Sequence, residues 1–159
     1  MDKNHPMRTL QDRLNAGEFV ITAEIAPPVS CDPADLAAKA LPLKGLAAAV
    51  NVTDGAGARA HLGAVAAATI LLRNGIEPIL QLTCRDRNRI ALQSELMGAA
   101  ALGIRNLLLL KGDDPRQGDQ PDAKPVFDYD TATLTAVAVA LRDRSEEHTS
   151  ELQSRGLIS

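Results

Sequence analysis

The sequence predicts a parallel α/β fold, and three observations carry the prediction. Four short apolar runs, 19–25, 46–53, 76–84 and 105–110, each suit a strand. A helical or alanine-rich run follows each of them, and glycine, proline or asparagine marks the junctions. Strands alternating with helices in this way imply a parallel sheet covered by helices. Two architectures satisfy the order: an open doubly wound sheet, and an incomplete (β/α)8 barrel of which these 159 residues supply about four βα units.

The first strand, FVITAEI (19–25), alternates Phe19, Ile21, Ala23 and Ile25 with Val20, Thr22 and Glu24. Pro27, Pro28 and Pro33 make the next stretch a loop. Asp32 suits a helix cap with Pro33 at the first helical position. Leu36, Ala40 and Leu43 recur at helical spacing, and Pro42 ends or bends that helix. LAAAVNVT (46–53) is the second strand, D-G-A-G (54–57) a turn, and 61–73 a helix stopped by Asn74-Gly75. IEPILQLTC (76–84) is the third strand, with Pro78 near its beginning. Residues 88–102 form a third helix ended by Gly103, and RNLLLL (105–110) is the fourth strand. A polar loop then leads to a helical run over about 131–142.

Composition excludes several functions. With aromatic residues at 2%, base stacking cannot carry nucleic-acid binding, and a net charge of -3 gives no non-specific attraction to DNA or anionic lipid. No apolar run approaches membrane-spanning length, and the start lacks an apolar signal core. Cys31 and Cys84 form neither C-x-x-C nor a disulfide framework, which suits a reducing, cytoplasmic location. His5, His61 and His148 form no metal-ligand pattern, and no metal is expected. His61 reads as a surface or capping residue. No P-loop is present, and no G-x-G-x-x-G follows the first strand.

Each strand ends, on its carboxyl side, in polar or permissive residues, and in parallel α/β folds that edge binds ligands. Glu24 lies on the Thr22 face of the first strand, where desolvation at a barrel mouth can raise a carboxyl pKa and fit it for general-acid work. The bland alternative is a solvated glutamate. Gly112 permits close approach of a ligand to Asp113, with an ordinary Asp114-Pro115 turn as the alternative. Thr53 and Thr83 can donate hydrogen bonds to a phosphate or a ring carbonyl, or can be satisfied strand-end hydroxyls. The run Arg85-Asp86-Arg87-Asn88-Arg89 can hold an anionic cofactor or form a solvated helix start capped by Asn88. Cys84 has no histidine near it in sequence to make it a nucleophile.

These residues, as an ordered set, resemble the methylenetetrahydrofolate reductase family. The resemblance rests on F-V-I-T-A-E-I-A-P-P (19–28), N-V-T-D-G (51–55), Q-L-T-C-R-D-R-N-R-I-A-L-Q-S (81–94), G-A-A-A-L-G-I-R-N-L-L-L-L-K-G-D-D-P (98–115) and G-D-Q-P-D-A-K-P-V-F-D-Y-D (118–130). It favours the barrel over the open sheet. It implies FAD as cofactor, NADH or NADPH as reductant, and 5,10-methylenetetrahydrofolate as the substrate reduced to 5-methyltetrahydrofolate. It implies Glu24 as the acid that protonates folate N10, and Asp113 as the charge that stabilises the resulting cation and tunes the flavin. Thr53, Gln81, Thr83, Lys111, Gly112, Asp113 and Phe127 are implied as cofactor contacts. Gln81 stands where some members carry histidine, Lys111 where some carry arginine, and Phe127 where some carry tyrosine. Other readings are a related flavin or folate barrel acting on another carbon carrier, and a non-catalytic α/β binding module.

The string R-S-E-E-H-T-S-E-L-Q-S (144–154) resembles the translation of a sequencing-adapter oligonucleotide. The domain is therefore expected to span 1–143, with 144–159 a non-native tail and the last helix stopping before it. Four βα units cannot close an eight-stranded barrel, so both sheet edges are expected to be open. Self-association and loss of catalysis are the expected consequences for this chain alone.

Overall fold

The computed structural model describes residues 8–154, with side chains as far as Arg144; His5 and the side chain of His148 lie outside the described residues. A helix that the sequence reading did not assign comes first, α1 (Leu10–Asn15). The Thr9 hydroxyl accepts from the Asp12 amide at 3.1 Å, and the Thr9 amide donates back to the Asp12 carboxylate at 2.9 Å. This reciprocal cap satisfies two end groups of a helix too short to be stable by propensity alone.

Strand β1 (Thr22–Ile25) is shorter than the apolar run that announces it. Its register begins at Thr22 opposite Ala49, and Phe19 and Ile21, ahead of it, stand 93% and 61% exposed. Helix α2 (Pro33–Ala40) starts as its sequence requires, with the Asp32 carboxylate accepting from the Ala34 amide at 2.8 Å. Pro42 falls in a single 3-10 turn, Leu41–Leu43, which carries the chain out of α2. Strand β2 (Ala49–Val52), helix α3 (Ala64–Arg73), strand β3 (Pro78–Thr83), helix α4 (Arg89–Ala101) and strand β4 (Asn106–Leu110) follow in the expected order. Asn88 caps α4, its side-chain oxygen accepting from the amides of Ile90 and Ala91. His61 lies ahead of α3 without capping it: its ring bonds Arg59 O, and Gly63 occupies the cap position.

The four strands are all parallel and stand in the order β1-β2-β3-β4. A doubly wound sheet requires a reversal of strand order. The unbroken order, with each helix returning the chain by one strand, is that of a partial (β/α) barrel. Among the described residues β1 and β4 are its edges.

Side chains alternate across the sheet. The outward set packs under the helices in two clusters. Val50, Val52 and Leu80 meet Leu36, Ala40, Ala67, Ala68 and Leu71 of α2 and α3. Leu82 meets Leu92, Leu96 and Leu134 of α4 and α5. Fully buried Ala67 and Ala68 let α3 lie close to the strands. The inward set is polar toward the carboxyl end: register places Glu24, Asn51 and Ile79 side by side, and Gln81 and Thr83 continue that face along β3.

The last helix, α5 (Thr131–Ser154), does not stop before residue 144 but runs through it without a break. The segment 144–154 contains neither glycine nor proline, so nothing in its backbone chemistry interrupts a helix already begun. Docking of α5 rests on Leu134, which is fully buried, supported by Val137, Ala138 and Leu141. Leu134→Ala is expected to lower stability by about 2–5 kcal/mol through the cavity left behind. Urea denaturation measures this, and an unchanged midpoint would show that α5 does not pack here.

Candidate functional site

The carboxyl ends of the strands carry the polar residues singled out by the sequence, and these fall into two groups. On the β1 side, the Gln81 amide Nε2 donates to Glu24 Oε2 at 2.8 Å. Gln81 is only 6% exposed, on a strand paired on both sides. Glu24 is exposed, so the described residues do not supply the desolvation expected at a barrel mouth. Thr53, between them at the end of β2, is buried, and its hydroxyl oxygen has no hydrogen-bond partner.

On the β4 side, the Asp113 carboxylate accepts from the Gly57 amide at 2.9 Å and so ties the end of β4 to the turn after β2. Gly112 has φ +94°, and a side-chain carbon there would lie 2.9 Å from Arg85 Cβ and 3.0 Å from Thr83 Cβ. Only glycine fits both constraints. The Lys111 ammonium lies 5.6 Å from the centre of the Phe127 ring. Phe127 itself is held at φ +44°, a conformation costly for a bulky residue, between Val126, whose amide donates to Arg85 O, and Asp128, bonded to Arg89. Lys111, Gly112 and Phe127 line a groove of about 450 Å³ together with Pro115, Lys124 and Pro125. This groove lies off the Glu24–Gln81 pair, and no hydrogen bond joins Glu24 to Asp113 among the described residues.

Next to Thr53, at the end of β2, stands a residue the sequence reading passed over as part of a turn. Asp54 is 7% exposed and accepts four hydrogen bonds: from the Thr83 amide at 2.8 Å and hydroxyl at 3.0 Å, and from two guanidinium nitrogens of Arg87 at 2.7 and 3.0 Å. Burial alone would raise its pKa, but the Arg87 fork and the Thr83 donors outweigh burial and hold the carboxyl below its ordinary range. The Thr83 hydroxyl is thereby spent on Asp54, which corrects its expected availability for a ligand. The signal in the sequence was an aspartate at a strand end with arginines at the end of the next strand.

Each arginine of the basic run has a carboxylate partner, so none is a free anion site, and the run forms the helix start expected of it, with Asn88 as cap and Asp86, Asn88 and Arg89 exposed. Arg85 is buried, bonding Asp86 and Gly55 O. Arg87 holds Asp54, and Arg89 forks onto Asp128, whose carboxyl it pulls down to about 2. Asp114 belongs to its local turn, held at about 2 by the Arg116 guanidinium. Cys84 is fully buried, and burial pushes its thiol pKa up, the opposite of an activated nucleophile. Among the described residues no group of three or more His, Cys, Asp or Glu side chains is placed to hold a metal ion. No described helix is long and apolar enough to cross a membrane.

The unbroken order of parallel strands, each followed by a helix, defines a protein of the (β/α)-barrel class. The family model described as methylenetetrahydrofolate reductase matches residues 9–139, most of the chain, and the chain belongs to that family. Its function is accordingly of the methylenetetrahydrofolate reductase type, an oxidoreductase function. A comparison with curated proteins gave no significant match.

The Asp54 node makes two measurable demands. Arg87→Met leaves a buried carboxylate without its counter-ion and is expected to cost roughly 3 kcal/mol, measured by urea denaturation at neutral pH. Because Asp54 titrates below its unfolded value, its stabilising contribution is complete above about pH 4 and is lost as pH falls through the folded-state pKa. Asp54→Asn should therefore be less stable at neutral pH and lose less stability than the native chain on acidification. An equal acid slope in both proteins would show that Asp54 does not carry it.

Proposed function

We propose that this chain contributes the acid and flavin-contacting half of a flavin-dependent barrel that reduces 5,10-methylenetetrahydrofolate to 5-methyltetrahydrofolate, with NADH or NADPH as reductant. The observation that carries the reading is Glu24 at the carboxyl end of β1, on the inward face, held by Gln81. The family is generally flavin-dependent, and the residues present suit a flavin. The Thr53 hydroxyl is a buried polar atom in want of a partner, and polar groups in that state are rare without a ligand or water. Gly112 keeps backbone accessible where any side chain would clash. Thr53, Gln81, Lys111, Gly112, Asp113 and Phe127 would hold the group. FAD, when bound, supplies the hydride.

The chain's own residues handle proton and charge. Glu24 in its acid form gives a proton to folate N10, the bond from N10 to the one-carbon unit breaks, and a cationic iminium remains on N5. That carbon then accepts the hydride and becomes the methyl group. Asp113, hydrogen-bonded by the neutral Gly57 amide, is the carboxylate whose charge would favour the cation. Four βα units are half of what a closed barrel requires, so we infer that turnover belongs to an eight-unit enzyme rather than to these 159 residues alone.

In the eight-unit enzyme, Glu24→Gln is expected to lower folate reduction by about 10²–10⁴-fold while leaving reduction of the flavin by nicotinamide unchanged. Stopped-flow measurement of the two half-reactions separates these. Full folate turnover in E24Q would remove Glu24 from the acid role.

A further inference from the structure

We propose that Gln81 is the positioning residue for Glu24, holding its side chain over the sheet in both of its protonation states. This deepens the proposed function and rests on it for its catalytic meaning. The bond itself is on the page: Nε2 of Gln81 to Oε2 of Glu24, 2.8 Å.

The two residues stand on strands that do not touch. Glu24 is on β1, Gln81 on β3, and β2 runs between. Neighbouring strands lie about 4.8 Å apart, so the two side chains must reach toward each other above β2. Residues of modest size beneath the bridge permit this. Asn51 is in register with Glu24 and turns its amide back to Ala23 O at 3.4 Å, and Thr53 is the next inward residue along β2.

Rigidity is unequal at the two ends. In the 159-residue chain Gln81 is buried on a strand paired on both sides, whereas Glu24 is exposed on a strand paired on one side among the described residues. A glutamate so placed has several side-chain rotamers open to it, and ordering it requires a fixed partner. Gln81 is the partner the fold fixes.

The chemistry of the partner matters. An arginine or lysine would favour the ionised form and oppose the proton that an acid must carry. A carboxamide has a donor and an acceptor on one planar group. Nε2–H donates to the carboxylate; after the amide turns over, Oε1 accepts from the protonated acid. Neither state forces a charge. Among the described residues β2 offers Ala49, Asn51 and Thr53 on this face, β3 offers Ile79, Gln81 and Thr83, and β4 offers Asn106, Leu108 and Leu110, none of them a carboxylate; Glu77, four residues before Gln81, is bonded by the Asn106 amide. The nearest strand-end carboxylates are engaged elsewhere, Asp54 with Arg87 and Asp113 with Gly57.

The test is side-chain amide NMR on the 15N-labelled 159-residue chain, without flavin or folate. The Gln81 NH₂ signal is identified by its absence in Gln81→Met, whose unbranched side chain keeps the volume; Gln81→Glu, of the same shape, removes the same signal should Q81M not fold. The Gln81 amide signals are expected to move as pH falls from neutral to about 4, the carboxylate range, and this movement should vanish in Glu24→Gln. The amide of Gln93, bonded to the Tyr129 hydroxyl away from this edge, should behave alike in both proteins. A Gln81 signal with the same pH course in the native chain and in E24Q would overturn the proposal. Because no turnover is measured, a failure of the folate reading in the eight-unit enzyme would be seen separately and would leave this result standing.

Discussion

The carboxyl edge of this sheet is organised by one buried anion. Asp54 leaves the end of β2, takes the Thr83 amide and hydroxyl at the end of β3, and is closed off by the Arg87 fork. A carboxylate that far from water is tolerable only when it is hydrogen-bonded and its charge is answered; here Oδ2 takes three bonds, Oδ1 takes one, and Arg87 supplies the counter-charge. The consequence is geometric: the ends of β2 and β3 and the entry to α4 share one fixed point. The next turn of the structure builds on it. Arg85, on the same entry segment, reaches Gly55 O, and its main-chain oxygen holds Val126, which sets the position of Phe127.

A second tie runs over the top. The turn after β2 uses three residues with positive φ, Gly55, Gly57 and Ala58, to bring the Gly57 amide to Asp113. Ala58 then crowds Gly118, where a side-chain carbon would come within 2.1 Å of Ala58 O. The loops after β2 and β4 therefore interlock across the end of β3. Gly112, pressed against Thr83 and Arg85, belongs to the same closure. The backbone strain at Ala58 and Phe127 is of the kind that surrounding contacts must over-determine, and the paired arginines supply those contacts.

Much of the fold was legible because it rests on local chemistry. Alternation of apolar runs with helices gave the four units, and Asp32, Asn88, Gly75 and Gly103 mark helix ends in the structure as their side chains or backbone freedom require. The choice between barrel and open sheet was not a matter of periodicity. It follows from the unbroken strand order, and in the sequence only the family resemblance pointed to it. At the edge, Glu24, Gln81, Gly112 and Asp113 were visible as polar or permissive strand ends. Their partners were not, because the Glu24–Gln81 bond spans 57 positions and the Asp113–Gly57 bond 56. The arginine run misled for a physical reason: a guanidinium reads as solvated or ligand-seeking until its carboxylate is found, and Asp54 and Asp128 lie 33 and 39 positions away in sequence. The extension of α5 past 144 was missed because a change in composition was read as a change in structure, although that segment contains no helix breaker.

The carboxylates of this region divide by the company they keep. Asp54, Asp114 and Asp128 are each bonded to an arginine, and each has its pKa driven down. Such groups stay ionised through any neutral-pH cycle and can only hold shape. Glu24 and Asp113, the two on which chemistry is proposed, are bonded by neutral N–H donors, a side-chain amide and a main-chain amide. Neutral donors orient a carboxylate without cancelling its charge or fixing its proton. An acid that must gain and lose a proton, and an anion whose field must reach a cationic substrate, both need that freedom. Three arginines committed to structural carboxylates leave the edge rigid, and neither Glu24 nor Asp113 is hydrogen-bonded to an arginine among the described residues, so the same charge pairing that builds the site leaves these two carboxylates to neutral donors.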